Sequence, residues 1–362
     1  MRTLQKLIEK ARPNFEKGGR MAAFEPVFNA VDNFFFATGR RTQYAPHVRD
    51  PLDIKRFMSM VIVALLPCLF ASIYFFGLRI IAMIIVSYAV GGAVEVVFAI
   101  VRKEEINEGF LVTGLLFPLI LPPGTPFWMV GLGVAFGVFA GKELFGGTGR
   151  NVFNPALVGR CFLSLAYPAQ MAGRWVMPGS GFPGHLVKYL DGAAVDVVTK
   201  ATPLAQAKQG LILPLREMFL GNITGSSGET SALAIIVGGV FLLATGVANW
   251  RTVASILASV AVLSAIFNFA DPQRFAPAMW HLCAGGIMTG AFFMATDPVT
   301  SPITNEAKWA YGIIIGIVTC LIRNFTGYVE GVTFAILLGN ITAPILDEAA
   351  VKLRLRRLNG EG

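Results

Sequence analysis

Three groups of residues in this chain have types and spacings suited to chemistry. The first is a carboxylate in oil: Glu95 in "YAVGGAVEVVFAI" has apolar residues on both sides. A carboxylate at bilayer depth costs roughly 2.5–3.5 kcal/mol on insertion scales, which points to a functional residue over a packing one. Gly91 and Gly92 lie one helical turn earlier on a similar face, where they admit either a flat ring or a packing helix. Asp347 in "ITAPILDEAA" is the second acid of this kind, read either as a catalytic carboxylate or as a helix-end charge. The second group is Asn151 and Asn154 in "FGGTGRNVFNPALVGR", three residues apart on one helical face. Their amides suit either a polar heterocycle or a helix cap. The third is "DVVTKATPLAQ", residues 196–206, a polar, helix-poor string in a mostly apolar chain, with Thr199 and Thr202 three residues apart. A threonine hydroxyl is too weak an acid to capture a group unaided, so chemistry there requires a separate enzyme that reads a short exposed peptide.

The elements that position these residues are membrane segments. Of the 362 residues, 54% are hydrophobic and only 14% charged, with long apolar runs between Gly- and Pro-rich breaks. "FMSMVIVALLPCLFASIYFF" carries no charge over about twenty residues, enough to span roughly 30 Å of hydrocarbon. About ten such segments are expected, near 57–76, 80–101, 110–121, 127–141, 153–170, 230–247, 252–270, 280–295, 307–322 and 327–346. The fold class expected is therefore an all-α polytopic membrane protein. The third segment ends in "LPPGTP" and the eighth in "MATDPVTSP". Prolines there free backbone groups that hydrocarbon cannot satisfy, so both helices are expected to break inside protein-lined space. Asp297, just after the second break, reads as a turn or cap.

The segments repeat. Thr113, Gly114, Phe117, Pro122 and Pro126 match Thr289, Gly290, Phe293, Pro298 and Pro302 at an offset of 176. After a five-residue insertion, Trp128, Gly131, Gly146, Phe153 and Leu157 match Trp309, Gly312, Gly327, Phe334 and Leu338 at 181. Two five-helix halves follow, and an odd number inverts the second, an architecture that normally surrounds a small-molecule or ion pathway. Charge sets the orientation: residues 1–56 carry eleven Lys/Arg against six Asp/Glu, and "KLRLRRLNGEG" is basic too. Both termini are thus expected in the cytoplasm. The expected layout is a cytoplasmic segment 1–56, a first repeat 57–170, an extracytoplasmic loop 171–229 holding the threonines, a second repeat 230–346 and a cytoplasmic tail 347–362.

Other classes are disfavoured. The net charge of +8 follows topology, not a nucleic-acid face. No signal peptide is visible in the first 56 residues. Phe34 to Phe36 suit either a membrane-surface anchor or a docking segment. Cys68, Cys161, Cys283 and Cys320 lack CxxC spacing and the three histidines are dispersed, so no metal site is expected. The glycines of 145–149 lack nucleotide-loop spacing. Thr230 in "SSGET" lacks an upstream Asp and a preceding Ala. Ser226 and Glu229 there form an [ST]-x-x-E capping box expected to start the sixth helix.

"HVRDPLDIKRFM", "NEGFLVTGLLFPLILPP", "GKELFGGTGRNVFNPALVGR", "AYPAQM", "GSSGETSALA" and "TDPVTSP" together resemble the NqrB family, membrane subunits of the sodium-pumping NADH:quinone oxidoreductase, Nqr, over nearly the whole chain. RnfD of the related Rnf complex is similar through the membrane part, but the basic extension ending in "HVRDPLDIKRFM" favours Nqr. In that family a threonine in a D-x-x-[ST]-G-A-T pattern carries FMN through a phosphoester. Asp196, Thr199, Ala201 and Thr202 match, with Lys200 where Gly often stands. The resemblance thus implies FMN on Thr202, attached from FAD by an extracytoplasmic flavin transferase. It also implies a bound riboflavin, for which Asn151 and Asn154 are candidates, and ubiquinone reduction near the cytoplasmic side, with Gly91, Gly92 and Glu95 as candidates. Sodium export, the partners within a six-subunit complex and the bacterial inner membrane complete the expectation. Two rivals remain at this point: an Rnf protein exchanging electrons with ferredoxin, and a urea-channel-like permeator that would share the repeat without any cofactor.

Overall fold

The computed structural model describes residues 54–103, 109–189, 202–328 and 331–358, with Pro13 and Phe28. Phe34 to Phe36 lie outside the described residues. Ten helical elements build the bundle among the described residues: α1 Ile54–Phe76, α2 Arg79–Arg102, α3 Gly109–Leu119, α4 Phe127–Gly141, α5 Pro155–Ala166, α6 Ala232–Ala244, α7 Trp250–Ala270, α8 Ile287–Thr289 continuing as the π-turn Gly290–Met294, α9 Asn305–Phe325 and α10 Val332–Leu358. Among the described residues the only β pairing is one isolated bridge, Gly77 to Tyr189. The chain is an all-α, multi-pass membrane protein.

Six elements are long and apolar enough to cross a bilayer: α1, α2, α4 together with the turn that carries it on to Phe145, α7, α9 and α10. The other four fall short of the ~20 residues a crossing needs. Eleven residues of α3 cover only ~16 Å at 1.5 Å per residue, and the chain continues through Pro122 and Pro123 as non-helical backbone. Protein satisfies what the broken helix frees. Leu119 O accepts from Gly228 N at 2.7 Å, and Leu121 O from both Ser227 N and Ser227 Oγ at 2.9 Å. The buried Arg79 guanidinium donates to Pro123 O (3.0 Å) and Thr125 O (2.9 Å). Past α8, Asp297 forms the corresponding turn, accepting from Val299 N at 3.1 Å and Thr300 Oγ1 at 3.4 Å.

Contacts repeat as the sequence does. In the first half α2 packs on α3 and α4, and α4 on α5; in the second half α7 packs on α8 and α9, and α9 on α10. The repeat-related Gly131 and Gly312 sit at the two corresponding crossings, where an added Cβ would meet Val90 and Ser255 respectively. The halves join along α1 and α6, and one hydrophobic core runs through both. A second, small core packs Leu204, Met218 and Ile223 of the segment before α6 against Ala276, Trp280 and Ala284 after α7.

The capping box expected at Ser226 and Glu229 is not the start of α6. That helix begins at Ala232, and Ser231 Oγ caps it by accepting from Ala234 N at 3.3 Å. Ser226 and Glu229 are drawn away by Arg160 of α5, because a buried guanidinium without a carboxylate costs several kcal/mol.

Candidate functional site

From Thr202 onward the threonine string is helical, where its composition predicts little helix. Thr202 is the N-cap of a five-residue helix, Pro203–Ala207, with Pro203 at the first position where its missing N–H is harmless. Thr202 Oγ1 accepts from Ala205 N at 3.4 Å. Leu204 plugs this helix into the small core, where Trp280 Nε1 donates to Leu213 O at 3.2 Å. At its far end Lys208 Nζ donates to Thr326 O (2.7 Å) and Tyr328 O (2.9 Å), fixing the segment to the end of α9; burial lowers that ammonium's pKa. Thr202 is therefore only 9% exposed, on a cavity wall instead of an open loop. Thr230 is 1% exposed, more deeply buried than Thr202. Asp196, Thr199, Lys200 and Ala201 lie outside the described residues.

Thr202 shares its cavity with Trp175, Thr224, Ser226 and Glu229. Arg160 NH1 donates to both Glu229 oxygens, at 3.2 and 3.4 Å, and Arg160 NH2 to Ser226 Oγ at 3.3 Å. Arg160 also opens onto a larger cavity of about 420 Å³ with Ser164, Met171, Trp175, Tyr328 and Phe334. That volume lies within the ~300–1,000 Å³ of cofactor sites, and its lining is mostly apolar and aromatic with one placed charge. Trp175 is common to both cavities. A threonine hydroxyl beside an apolar, aromatic-lined cavity has the chemistry a tethered flavin would need.

The other candidates sit elsewhere. Glu95 is buried on α2 and forms an ion pair with Lys142, which follows α4; both side chains are about 5% exposed. Next to it Arg102 NH1 donates to Glu143 Oε2 at 2.7 Å. Gly91 faces the Phe110 ring, whose nearest atom an added Cβ would meet at 2.6 Å, and Gly92 touches the same ring more loosely at 3.4 Å. At this point the glycines serve the packing of α2 on α3. Asn154 caps α5, its Oδ1 accepting from Ala156 N at 3.0 Å; Asn151 accepts from Gly149 N and donates to Phe153 O. Asn154, but not Asn151, also lines a cavity of about 60 Å³ between the two broken helices, with Met58, Thr113, Phe293 and Asp297. Asp347 on α10 accepts from Ile303 N (2.8 Å), Thr304 N (2.8 Å) and Thr304 Oγ1 (2.7 Å), so it anchors the entry to α9.

Buried cations escaped the sequence reading, among them Lys142, Arg160 and Arg323. Each is a charge in or at the end of an apolar segment, which was the available signal. Lys142 and Arg323 are also separated by the repeat offset of 181. Arg323 closes its half by donating to His281 O and Ala284 O, both at 2.9 Å.

Comparison with known proteins agrees with the motifs. The profile of the NQR2, RnfD, RnfE family matches residues 41–355. The NqrB protein of the Na(+)-translocating NADH-quinone reductase of Klebsiella pneumoniae (strain 342) is 38% identical, with 99% of this chain and all of that protein aligned. The proteins of the same name from Azotobacter vinelandii, at 38%, and Ectopseudomonas mendocina, at 37%, each align over 98% of both chains. With six helices long enough to span, two broken ones and a family match over most of its length, the chain belongs to the NQR2, RnfD, RnfE family.

Proposed function

We propose that this protein is the membrane redox component of a sodium-translocating NADH:ubiquinone reductase, carrying FMN as a phosphoester on Thr202. The observation that carries the proposal is Thr202 itself: the threonine marked by the family pattern is held by a small core of its own on the wall of a cavity beside an aromatic chamber. Full-length similarity to NqrB proteins favours Nqr over RnfD.

A flavin supplies chemistry that no side chain can, accepting electrons in pairs or singly. The chain's residues do the rest. Thr202 Oγ1 would provide the tether: a flavin transferase moves the FMN phosphoryl group from FAD to this hydroxyl, breaking the FAD pyrophosphate with AMP as leaving group. Trp175, Met171, Tyr328 and Phe334 give the chamber an apolar and aromatic wall, and Arg160 supplies its charge. A flavin held on Thr202 would accept electrons that a partner within the six-subunit complex takes from NADH. A non-covalent riboflavin is assigned to the end of the bundle that holds Asn151 and Asn154, and ubiquinone reduction to the neighbourhood of Glu95 on α2, where Gly91 and Gly92 are already taken up by the Phe110 ring. Both termini lie in the cytoplasm of a bacterial inner membrane, which puts Thr202 outside. Sodium crosses between the halves, where α3 and α8 break. Each outward charge requires about 2.3 kcal/mol per 100 mV, so export is coupled to electron transfer and not left to a pore.

Trypsin gives a direct test. Cleavage after Lys200 and Lys208 yields Ala201–Lys208, "ATPLAQAK", in which Thr202 is the only hydroxyl; Thr199 falls in the preceding peptide. Mass spectrometry of the native complex should find the FMN ester on Ala201–Lys208. An ester on any other peptide, or none, overturns the assignment.

A further inference from the structure

We infer that the buried Arg160–Glu229 pair sets how readily the flavin on Thr202 is reduced, the guanidinium favouring the reduced ring and the carboxylate opposing it. This rests on the attachment proposed above. The pair is neutral as a whole, but its two halves face different spaces. Glu229 lines the cavity of Thr202, Arg160 lines the larger chamber, and Trp175 borders both. Both residues are 5–6% exposed, so solvent screens them little.

Three features separate this pair from a purely structural clamp. A bidentate guanidinium–carboxylate contact normally closes to about 2.7–2.9 Å, whereas the Arg160 bonds to Glu229 and Ser226 measure 3.2, 3.4 and 3.3 Å. The carboxylate comes from the loop before α6 and not from a helix packed on α5, so the pair joins the acceptor's cavity to the bundle. Finally, the family-like "SSGET" string that supplies Glu229 does not cap α6, and its Ser226 and Glu229 side chains turn to Arg160 instead.

The redox balance shows what a charge there does. A neutral oxidised flavin that takes up two electrons and one proton carries one net negative charge; NADH supplies the electrons and quinone later removes them. A neighbouring cation lowers the free energy of the reduced form and a neighbouring anion raises it. Removing one member or the other must therefore shift the potential in opposite directions. A packing role predicts no such antisymmetry.

The test is a potentiometric titration of the purified complex at fixed pH, followed by visible absorbance. The relevant flavin is the component that disappears in Thr202→Val. Arg160→Gln should lower its midpoint by at least a tenfold change in the reduced-to-oxidised ratio, about 30 mV for a two-electron couple. Glu229→Gln should raise it by a similar amount, and the double variant should return near wild type. Arg160→Lys, which keeps the charge, should stay close to wild type and guards against a variant that fails to assemble. Shifts of the same sign in both single variants, or none in either, overturn the inference. If Thr202→Val removes no component, the attachment itself is wrong; denaturing-gel fluorescence of each variant reads attachment independently of potential.

Discussion

The ion pair between Glu95 and Lys142 separates stability from turnover. Both side chains are about 5% exposed, and Glu143, the other acid nearby, is bonded to Arg102. Replacing Glu95 by Gln strands the Lys142 ammonium in a dry site, and replacing Lys142 by Met strands the carboxylate. Breaking such a pair from one side costs about 3–5 kcal/mol, whereas replacing both members is often neutral or stabilising. At about 2 °C per kcal/mol, the scaling for larger chains, each single variant should lose roughly 6–10 °C of melting temperature. The double variant, Glu95→Gln with Lys142→Met, should regain most of it. The assay is heat treatment of the purified complex followed by size exclusion, with sodium-dependent quinone reduction measured per assembled complex. If Glu95 also serves the quinone or ion path, the double variant regains stability while turnover stays slow, and its flavins are retained. Full stability in Glu95→Gln alone would refute the pair, and full turnover in the double variant would reduce Glu95 to a packing role.

Three further outcomes follow from the same geometry. Gly91→Ala should loosen the α2–α3 contact, since its Cβ would fall 2.6 Å from the Phe110 ring, and Phe110→Leu should rescue it in a melting assay. Changing Asn151 and Asn154 together to Leu should lower riboflavin content in the purified complex and leave covalent FMN unchanged; unaltered riboflavin would confine both amides to the turn and cap they form. Asp347→Ala should cost about 1–2 kcal/mol of stability, as loss of a cap does, with unchanged turnover per assembled complex; a collapse in turnover would restore it as a catalytic acid.

Much of the architecture was legible because membrane burial writes itself locally. The ten segments, their order and the breaks at "LPPGTP" and "MATDPVTSP" follow from runs of apolar residues and from prolines that lack an N–H. The true ends were less legible. The eighth segment, expected at 280–295, divides into a short helix Ala278–Cys283 and α8, because Arg323, far along the chain, takes the carbonyls of His281 and Ala284. The capping box at Ser226 was locally correct and lost to a long-range partner on α5. Glu95 and Thr202 stood out as residues misplaced for their surroundings. Their partners did not, since nothing in the sequence couples Glu95 to Lys142, or the loop before α6 to Arg160, until the helices are packed.

The central claim is the cofactor on Thr202, and in-gel flavin fluorescence of the denatured chain tests it most directly. Thr202→Val keeps the shape and removes the nucleophile. The lost cap bond is long, at 3.4 Å, and serves a five-residue helix, so the bundle should still assemble. The wild-type band should fluoresce, Thr202→Val should be dark with quinone reduction collapsed, and Thr230→Val should fluoresce as wild type. A fluorescent Thr202→Val band, or a dark Thr230→Val band, would contradict the account.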